Sequence, residues 1–270
     1  MIGPACREGI KNKTMINFFR RIRYELMETG KTGKYLKYAI GEIILVVIGI
    51  LIALSINNWN ENRKLKIEER ALLTNLSIEF DRKLIELEDK NSGRKKNIKG
   101  IDQLLHTITN RDSTIGGENL IRIIGGLQTW YQVNEEFSII EMLFSSGKIN
   151  TISNDSLKAA LISWPDKLEE MFEEQRVVKD IGIHQLNPVI NTYVSQAYLN
   201  SMYIALDDNE MNTIESSFKN DIEGLFSDQK FESLIAARQL YLRVNFRDTE
   251  NLIEAAQSIL KLIKEELTND

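Results

Sequence analysis

The sequence is poor in cysteine and proline, and each shortage excludes a class of protein. Cys6 is the only cysteine, so no disulfide can form within the chain. A domain on an oxidising side of a membrane must then be stabilised by packing alone. The three prolines argue against a turn-rich β-sandwich. Together with abundant Leu, Ile, Glu and Lys, they favour an all-α fold.

The chain also lacks the usual catalytic and metal-binding patterns. Its two histidines, His106 and His184, have no Cys or His partner at helical spacing, whereas a tetrahedral metal site normally needs three or four such ligands. No Gly-rich phosphate loop, GxSxG elbow or HExxH motif is present. We therefore predict no enzyme activity, no metal and no cofactor, with both histidines solvated or hydrogen-bonded.

Two sets of residues are compatible with catalysis or ligand binding, but a structural role explains them more simply. Pairs of Glu residues are expected to form solvated helix faces, whereas a cleft between them would resemble a glycosidase site. Four aromatic residues are expected to pack in a helical core, with a ligand pocket as the alternative. The acidic pairs are Glu135-Glu136, Glu169-Glu170 and Glu173-Glu174, and the aromatic residues are Trp130, Tyr193, Tyr198 and Tyr203.

One long apolar run dominates what the sequence does contain. Between Ile43 and Ile56 every residue except Gly49 and Ser55 is apolar. Such a helix has no polar face, so it must be buried in a core or in lipid. Residues 38–59 reach the length of about 20 residues that a bilayer requires, and we predict one transmembrane helix here.

Residues on both sides of the run predict how it is placed in the membrane. Tyr35 and Tyr38 at one end and Trp59 at the other match the aromatic belts of membrane interfaces. The chain up to Lys37 carries nine basic and three acidic residues, although its net charge is −5. The basic residues place the N-terminus in the cytoplasm of an inner-membrane protein. The acidic remainder argues against nucleic acid as a partner.

These observations divide the chain into four predicted regions. Residues 1–14 are a disordered extension, with Met15 as an alternative start. Residues 15–37 are a basic cytoplasmic segment, and residues 60–270 form an extracytoplasmic, periplasmic helical domain. A cleaved signal peptide is the alternative to the anchor, because Ala53-Leu54-Ser55 has the small residues that a signal peptidase requires.

Small residues recur on one face of the predicted span. Gly41, Gly49 and Ala53 are separated by multiples of four residues, so a second helix could approach the backbone closely there. A homodimer, or contact with another membrane protein, is one interpretation. The other is a lipid-facing helix in which Glu42 reaches the headgroup region.

The segments after the span read as a bundle of helices. Leu73, Leu76 and Phe80 form an apolar stripe on a helix that continues from the span as a stalk. The stripe is expected to pack in the domain's own core, with a coiled coil as the alternative. We predict helix breaks at Asn91-Ser92-Gly93 and Trp164-Pro165, and a new helix beginning at Asn187-Pro188.

The stretch from Trp130 to Asn154 is the most distinctive part of the predicted domain. Phe137, Ile140 and Phe144 are expected to share the buried face of a short helix. Gly147 is expected to end that helix in the left-handed conformation. An extended turn over residues 148–153 and a cap at Asn154 or Asp155 then begin the next helix.

The quoted residues resemble a known family. KYLKYAIGEIILVVIGILIALSINNWNE, preceded by FFRRIR, is similar to the N-terminal signature of an uncharacterised family of single-pass membrane proteins common in Bacteroidota. The MLFSSG and NDSL segments, at residues 142–147 and 154–157, match its second mark. The resemblance implies membrane location and shared architecture, and it brings no activity. We therefore expect a domain for interaction or sensing. A periplasmic ligand-binding sensor that acts through a partner, or a membrane-tethered enzyme, is the alternative.

Overall fold

The structure is a computed structural model that describes Tyr24 and residues 32–111, 116–134, 137–204 and 216–269. The predictions for residues 1–14, for Cys6 and for Glu135-Glu136 lie outside these residues, as does most of the basic segment 15–37. No strand occurs in the described part of the chain, so the all-α prediction is confirmed. The helices are α1 (Thr32–Asn110), α2 (Gly117–Gly126), α3 (Ser138–Ser145), α4 (Asp155–Asp180), α5 (Asn187–Tyr193), α6 (Gln196–Ile204), α7 (Ile222–Phe226) and α8 (Gln229–Asn269).

The chain divides into two compact units, one ending at Ile67 and the other beginning at Glu68. The described part of the first unit includes the apolar run, which lies within α1. The second unit contains the rest of α1 and all the other helices. α8 runs antiparallel to α1, because Asp102 pairs with Arg243 at 2.7 Å and Asp81 pairs with Lys264 at 3.9 Å.

The apolar stripe of α1 lies in the core of the second unit. Leu73, Leu76 and Phe80 are all buried, which confirms the expectation that they pack in the domain's own core. They are therefore unavailable to continue a dimer contact beyond the membrane, as the coiled-coil alternative required. Leu65, seven residues before Leu72, is exposed, so the packed part of the stripe begins after it.

The predicted break at Asn91-Ser92-Gly93 is wrong, because α1 continues through it to Asn110. Gly93 allows close packing there instead of ending the helix. A Cβ atom at this position would overlap the ring of Tyr131. The glycine that suggested a helix break therefore has another role, which is to leave space for a neighbouring segment.

The predicted boundary at Trp164-Pro165 is also wrong, since Pro165 lies inside α4. An interior proline costs a helix about 3 kcal/mol. The Trp164 ring is 1 % exposed, and its centroid lies 4.9 Å from that of Phe80 and 5.5 Å from that of Phe137. Each buried aromatic ring contributes about 1.5–3 kcal/mol, so this cluster is large enough to outweigh the proline. At Asn187-Pro188 the chain passes from a π-helical turn at Ile181–Leu186 into α5 without leaving helical geometry, so the predicted start is a change of helix type rather than a new helix.

The distinctive stretch folds mostly as predicted, with two differences. Phe137 and Ile140 are buried, but Leu143 takes the core position expected for Phe144, which is 38 % exposed. Residues Lys148–Thr151 form a 3₁₀ turn in place of the extended turn. Gly147 has the predicted left-handed φ of 70°. The Asn154 side chain accepts from the Leu157 N–H at 2.9 Å, which confirms the cap.

Candidate functional site: a buried polar layer

A layer of polar side chains separates two apolar clusters within the second unit. The first cluster includes buried residues of α1 up to Leu87 and of α8 from Leu252 onward. The second includes buried residues of α1 from Ile98 onward and of α8 up to Leu242. Between them the helices present buried polar residues to one another. These are Asn91 and Arg94 on α1, Gln175 on α4, and Asn245 and Thr249 on α8.

Arg94 is the centre of this layer and is fully buried. Its Nη1 donates to Thr249 Oγ1 at 3.0 Å. Its Nη2 donates to the Tyr131 carbonyl at 2.9 Å and to Gln175 Oε1 at 3.1 Å. The guanidinium therefore joins α1, α4, α8 and the irregular segment that contains Tyr131.

That irregular segment, residues 127–134, crosses the layer from the second apolar cluster to the first. We call it the crossing segment. Its residues are not helical, so its backbone groups have no partners within it. Several buried or half-buried side chains of the helices hydrogen-bond to it instead: Arg94 donates to Tyr131 O, Gln175 accepts from Val133 N, Glu86 accepts from Asn134 N, Lys83 donates to Asn134 O, and Arg238 donates to Thr129 O.

Arg238, on α8, also contacts the crossing segment through a hydrogen bond. It is fully buried, and its Nη1 donates to the Val178 carbonyl at 2.7 Å, while Nη2 donates to the Thr129 carbonyl. Gly182, in the π-helical turn, leaves the room that this guanidinium occupies, because a Cβ atom there would lie 2.8 Å from Nη1.

Burying two guanidiniums to hold the crossing segment has a high energetic cost. Among the described residues, neither Arg94 nor Arg238 has a carboxylate partner within ion-pair distance, and the hydrogen bonds that these two side chains donate go to neutral oxygens. Burial lowers the pKa of Arg94 to about 10. Burial also lowers the pKa of Arg238 to about 10, against a smaller opposing effect of Tyr131. Burying a cation without a counter-ion costs several kcal/mol. The layer is therefore better explained by the precise placement of the crossing segment than by a gain in stability.

The backbone of the crossing segment is strained at Tyr131. Its φ is 39°, a left-handed value that is rare for a bulky residue. The Tyr131 ring fills the space that Gly93 leaves on α1. Next to it, Trp130 is half-buried, with the Lys179 ammonium 5.2 Å from its ring centroid.

A half-buried carboxylate stands near the layer, between α4 and α8. Burial, and then the charges of Asp248 and Glu173, raise the pKa of Glu174, while Arg247 opposes the shift. The prediction that Glu173-Glu174 forms a solvated face is thus wrong for Glu174, whose Oε2 is buried with no hydrogen-bond partner among the described residues.

The other candidate residues lie on the surface or in the core. Glu169, Glu170 and His106 are exposed, as predicted. His184 is exposed and hydrogen-bonded through Nδ1 to Asp180 Oδ1 at 2.9 Å. Trp130, Tyr193 and Tyr198 are partly buried against the second apolar cluster, and the Tyr203 side chain is outside the described residues. No group of three metal-ligating side chains occurs in the part of the chain that the structure describes.

The span residues form a separate site in the first unit. From Ala39 the helix has a window of mean hydropathy 2.8 with none of its residues buried. Trp59 is exposed, and the Arg63 guanidinium carbon lies 6.0 Å from its ring centroid. Gly41 and Gly49 have open space where a Cβ would be, and Ala53 is exposed. The side chains of Tyr35 and Tyr38 lie outside the described residues.

Residues 42–229 match a family of unknown function (DUF6090), which covers well over half of the 270 residues. The chain belongs to this family. The match includes the whole apolar run from Ile43 to Ile56 and, in the layer, Arg94 and Gln175, whereas α8 begins where the match ends. Neither the curated proteins nor the solved structures gave a match.

Proposed function

We propose that this protein is a single-pass inner-membrane protein whose acidic helical unit lies in the periplasm and serves interaction or sensing. The observation that carries the proposal is the apolar run of α1, whose side chains are exposed along its whole length. Apolar surface of this size is stable only in lipid or against a partner. We also propose, from the resemblance, that the protein comes from a member of the Bacteroidota.

Charge supports the proposed orientation. The basic residues before the run favour a cytoplasmic N-terminus, with the acidic unit after it on the opposite side. Trp59 with Arg63 over its ring is the combination expected where a helix leaves the hydrocarbon layer. The uncleaved anchor is favoured over a signal peptide because α1 continues without a break past Ser55.

Fusion reporters test this orientation. A reporter active only in the periplasm, fused after Asp270, is expected to be active, and a reporter active only in the cytoplasm is expected to be silent at the same position. The opposite pattern would overturn the orientation. Mature protein that begins after Ser55 would show that the span is a cleaved signal.

An interaction or sensing role, rather than catalysis, is supported by the polar layer. Both guanidiniums donate to backbone carbonyls, and Arg94 also donates to Thr249 Oγ1 and Gln175 Oε1, so they position the crossing segment. Buried polar groups are best known for fixing the register of helices. A sensor needs helices with a defined and alterable register, and α1 carries both Arg94 and the span. A homodimer through the Gly49 and Ala53 face is part of the proposal, as is contact with another membrane protein.

A further inference from the structure

The turn between α3 and α4 lies at the end of the second unit at which the chain enters that unit. Where α3 begins, Glu79 Oε1 accepts from Ser138 Oγ at 3.3 Å. Beyond the end of α3, the Lys148 ammonium pairs with Glu68 at 2.8 Å. α3 therefore runs back along α1 towards Glu68, the first residue of the unit. We call residues 142–153, which end α3 and form this turn, the turn segment.

The turn segment exposes apolar side chains that the core of the unit does not cover. Met142 is 40 % exposed and Phe144 is 38 % exposed, whereas Leu143 between them is buried. The segment contains no Asp or Glu, although the net charge of the chain is −5. Membrane surfaces carry anionic lipid, which repels carboxylates and accepts apolar side chains between its headgroups. The composition of the turn segment therefore suits contact with a lipid surface.

The length of the chain limits how far the turn segment can lie from the bilayer. Glu68 follows Trp59, the aromatic residue at the end of the predicted span, by nine residues. Nine residues reach at most about 32 Å when fully extended, and this limit holds for any arrangement of the two units. As a helix they reach about 14 Å, and all nine belong to α1. Because Lys148 is paired with Glu68, the turn segment is held within a short distance of the lipid surface.

Lipid is the occupant that fits this surface, since the span brings a bilayer within its reach. Apolar side chains of membrane-surface segments lie at the boundary between headgroups and acyl chains, where apolar area is removed from water. We propose that the turn segment contacts the surface of the bilayer that holds the span, with Met142 and Phe144 inserted between the headgroups. The second unit is then attached to the membrane at a second point in addition to α1.

This inference rests on the proposed function, because it requires the span to lie in lipid. It does not depend on which side of the membrane the second unit faces, since both leaflets present headgroups. It also goes beyond the proposed function, which needs only the span to hold the protein in the membrane.

Fluorescence quenching of the full chain in phosphatidylcholine nanodiscs tests the inference. In a Cys6→Ser background, a nitrobenzoxadiazole label is attached to Ser145→Cys, which lies in the turn segment and leaves Met142 and Phe144 in place. The nanodisc lipid carries a nitroxide on its headgroup, which quenches only at short range. We expect the label at position 145 to lose most of its emission when the nitroxide lipid replaces unmodified lipid.

Ser233→Cys is the matched control. Ser145 and Ser233 are both exposed, and each donates to a backbone carbonyl of its own helix. Ser233 lies at the opposite end of the second unit, because it precedes Arg243 on α8, and Arg243 pairs with Asp102. Asp102 is 34 residues beyond Glu68, which is about 51 Å further along α1. The label at position 233 should keep its emission.

A double variant tests whether the apolar side chains make the contact. Met142→Gln/Phe144→Gln should restore the emission of the label at position 145, and an unchanged helical circular dichroism spectrum would show that the fold is kept. Two results would overturn the inference. One is quenching at position 145 that is no stronger than at position 233, and the other is quenching that persists in the double variant.

A label inside the span separates this inference from the proposed function. Ser55→Cys carries the same label, and a nitroxide on the lipid acyl chain should quench it. If it is quenched while the label at position 145 is not, the inference fails and the membrane span stands. An unquenched label at position 55 would overturn the proposed function and this inference with it.

Discussion

Arg94 and Gln175, which are 81 residues apart in sequence, meet in the interior of the second unit through a hydrogen bond of 3.1 Å. The same Gln175 Oε1 accepts from the Val133 N–H at 3.0 Å. One amide oxygen thus satisfies a buried guanidinium and a buried backbone group together. This pairing is the point at which α1, α4 and the crossing segment are held in a single arrangement.

Gln175→Leu tests that pairing. It keeps the approximate size of the side chain but leaves Arg94 and Val133 each with a buried donor that has lost its acceptor. We expect the free energy of unfolding to fall by about 2–4 kcal/mol, measured by urea denaturation. Gln103→Leu, at an exposed position of α1, should change it by less than about 0.5 kcal/mol. Equal effects of the two changes would show that the layer is not an energetic unit.

Gly93→Ala tests the contact between α1 and the crossing segment. The added methyl would overlap the Tyr131 ring, and we expect a loss of about 1–3 kcal/mol. At Gly100 the same change meets Ile123 Cγ1 at an ordinary 3.4 Å, so higher helix propensity should raise stability by up to about 1 kcal/mol. In a Tyr131→Ala background, the cost of Gly93→Ala should largely disappear. A cost that persists there would place its origin elsewhere.

Gln175 and Gly93 both act through residues that are distant in sequence, and such contacts are not predictable from the sequence. The apolar run, the all-α fold, the left-handed Gly147 and the Asn154 cap depend on residues close together in the chain, and they could be recognised. Gly93 and Pro165 were misread because their roles depend on Tyr131 and on the cluster around Trp164, which local rules do not include. The partners of Arg94 lie up to 155 residues away.

The polar layer did leave a signal in the sequence. Leu87, Asn91, Arg94, Ile98 and Ile101 follow at helical spacing, so two polar residues interrupt an apolar stripe of α1. α8 shows the same interruption at Asn245 and Thr249, between Leu242 and Leu252. Interruptions at core positions on two helices indicate a shared polar layer, but their pairing requires the three-dimensional fold.

Phe137, the residue just before α3, and Phe144, in its last turn, form a matched pair. Phe137 is 3 % exposed and packs against Trp164, whereas Phe144 is 38 % exposed. Phe137→Ala should cost about 3–5 kcal/mol, and Phe144→Ala about 1 kcal/mol or less, by the same denaturation measurement. A large loss at Phe144 would mean that this side of α3 is covered in the protein.

Glu174→Gln tests the raised pKa at the edge of the layer. A carboxyl group with a raised folded-state pKa contributes stability that is full below its ordinary pKa of 4.5 and is lost as the pH rises through the folded-state pKa. The variant should therefore have a higher melting temperature than the unaltered protein at pH 7, and the difference should vanish below about pH 4. Glu170→Gln, which is exposed on the same helix, is the control for the loss of one surface carboxylate. A difference independent of pH would contradict the shift.

Gly49→Leu tests self-association of the span. It adds bulk to the face that Gly41, Gly49 and Ala53 share, while the segment stays apolar and inserted. We expect a dimerisation reporter that carries the span to lose signal. An unchanged signal, with insertion intact, would mean that the face contacts lipid.

Cysteine labelling in intact spheroplasts tests the central claim most directly, because the chain has a single natural cysteine. Ser163→Cys places a thiol on an exposed position of α4, and Cys6 provides the internal control before the span. A maleimide that cannot cross membranes should label the introduced thiol in intact spheroplasts and Cys6 only after the inner membrane is permeabilised. Labelling of Cys6 alone in intact spheroplasts, or of neither thiol until permeabilisation, would contradict a membrane-anchored protein with a periplasmic helical unit.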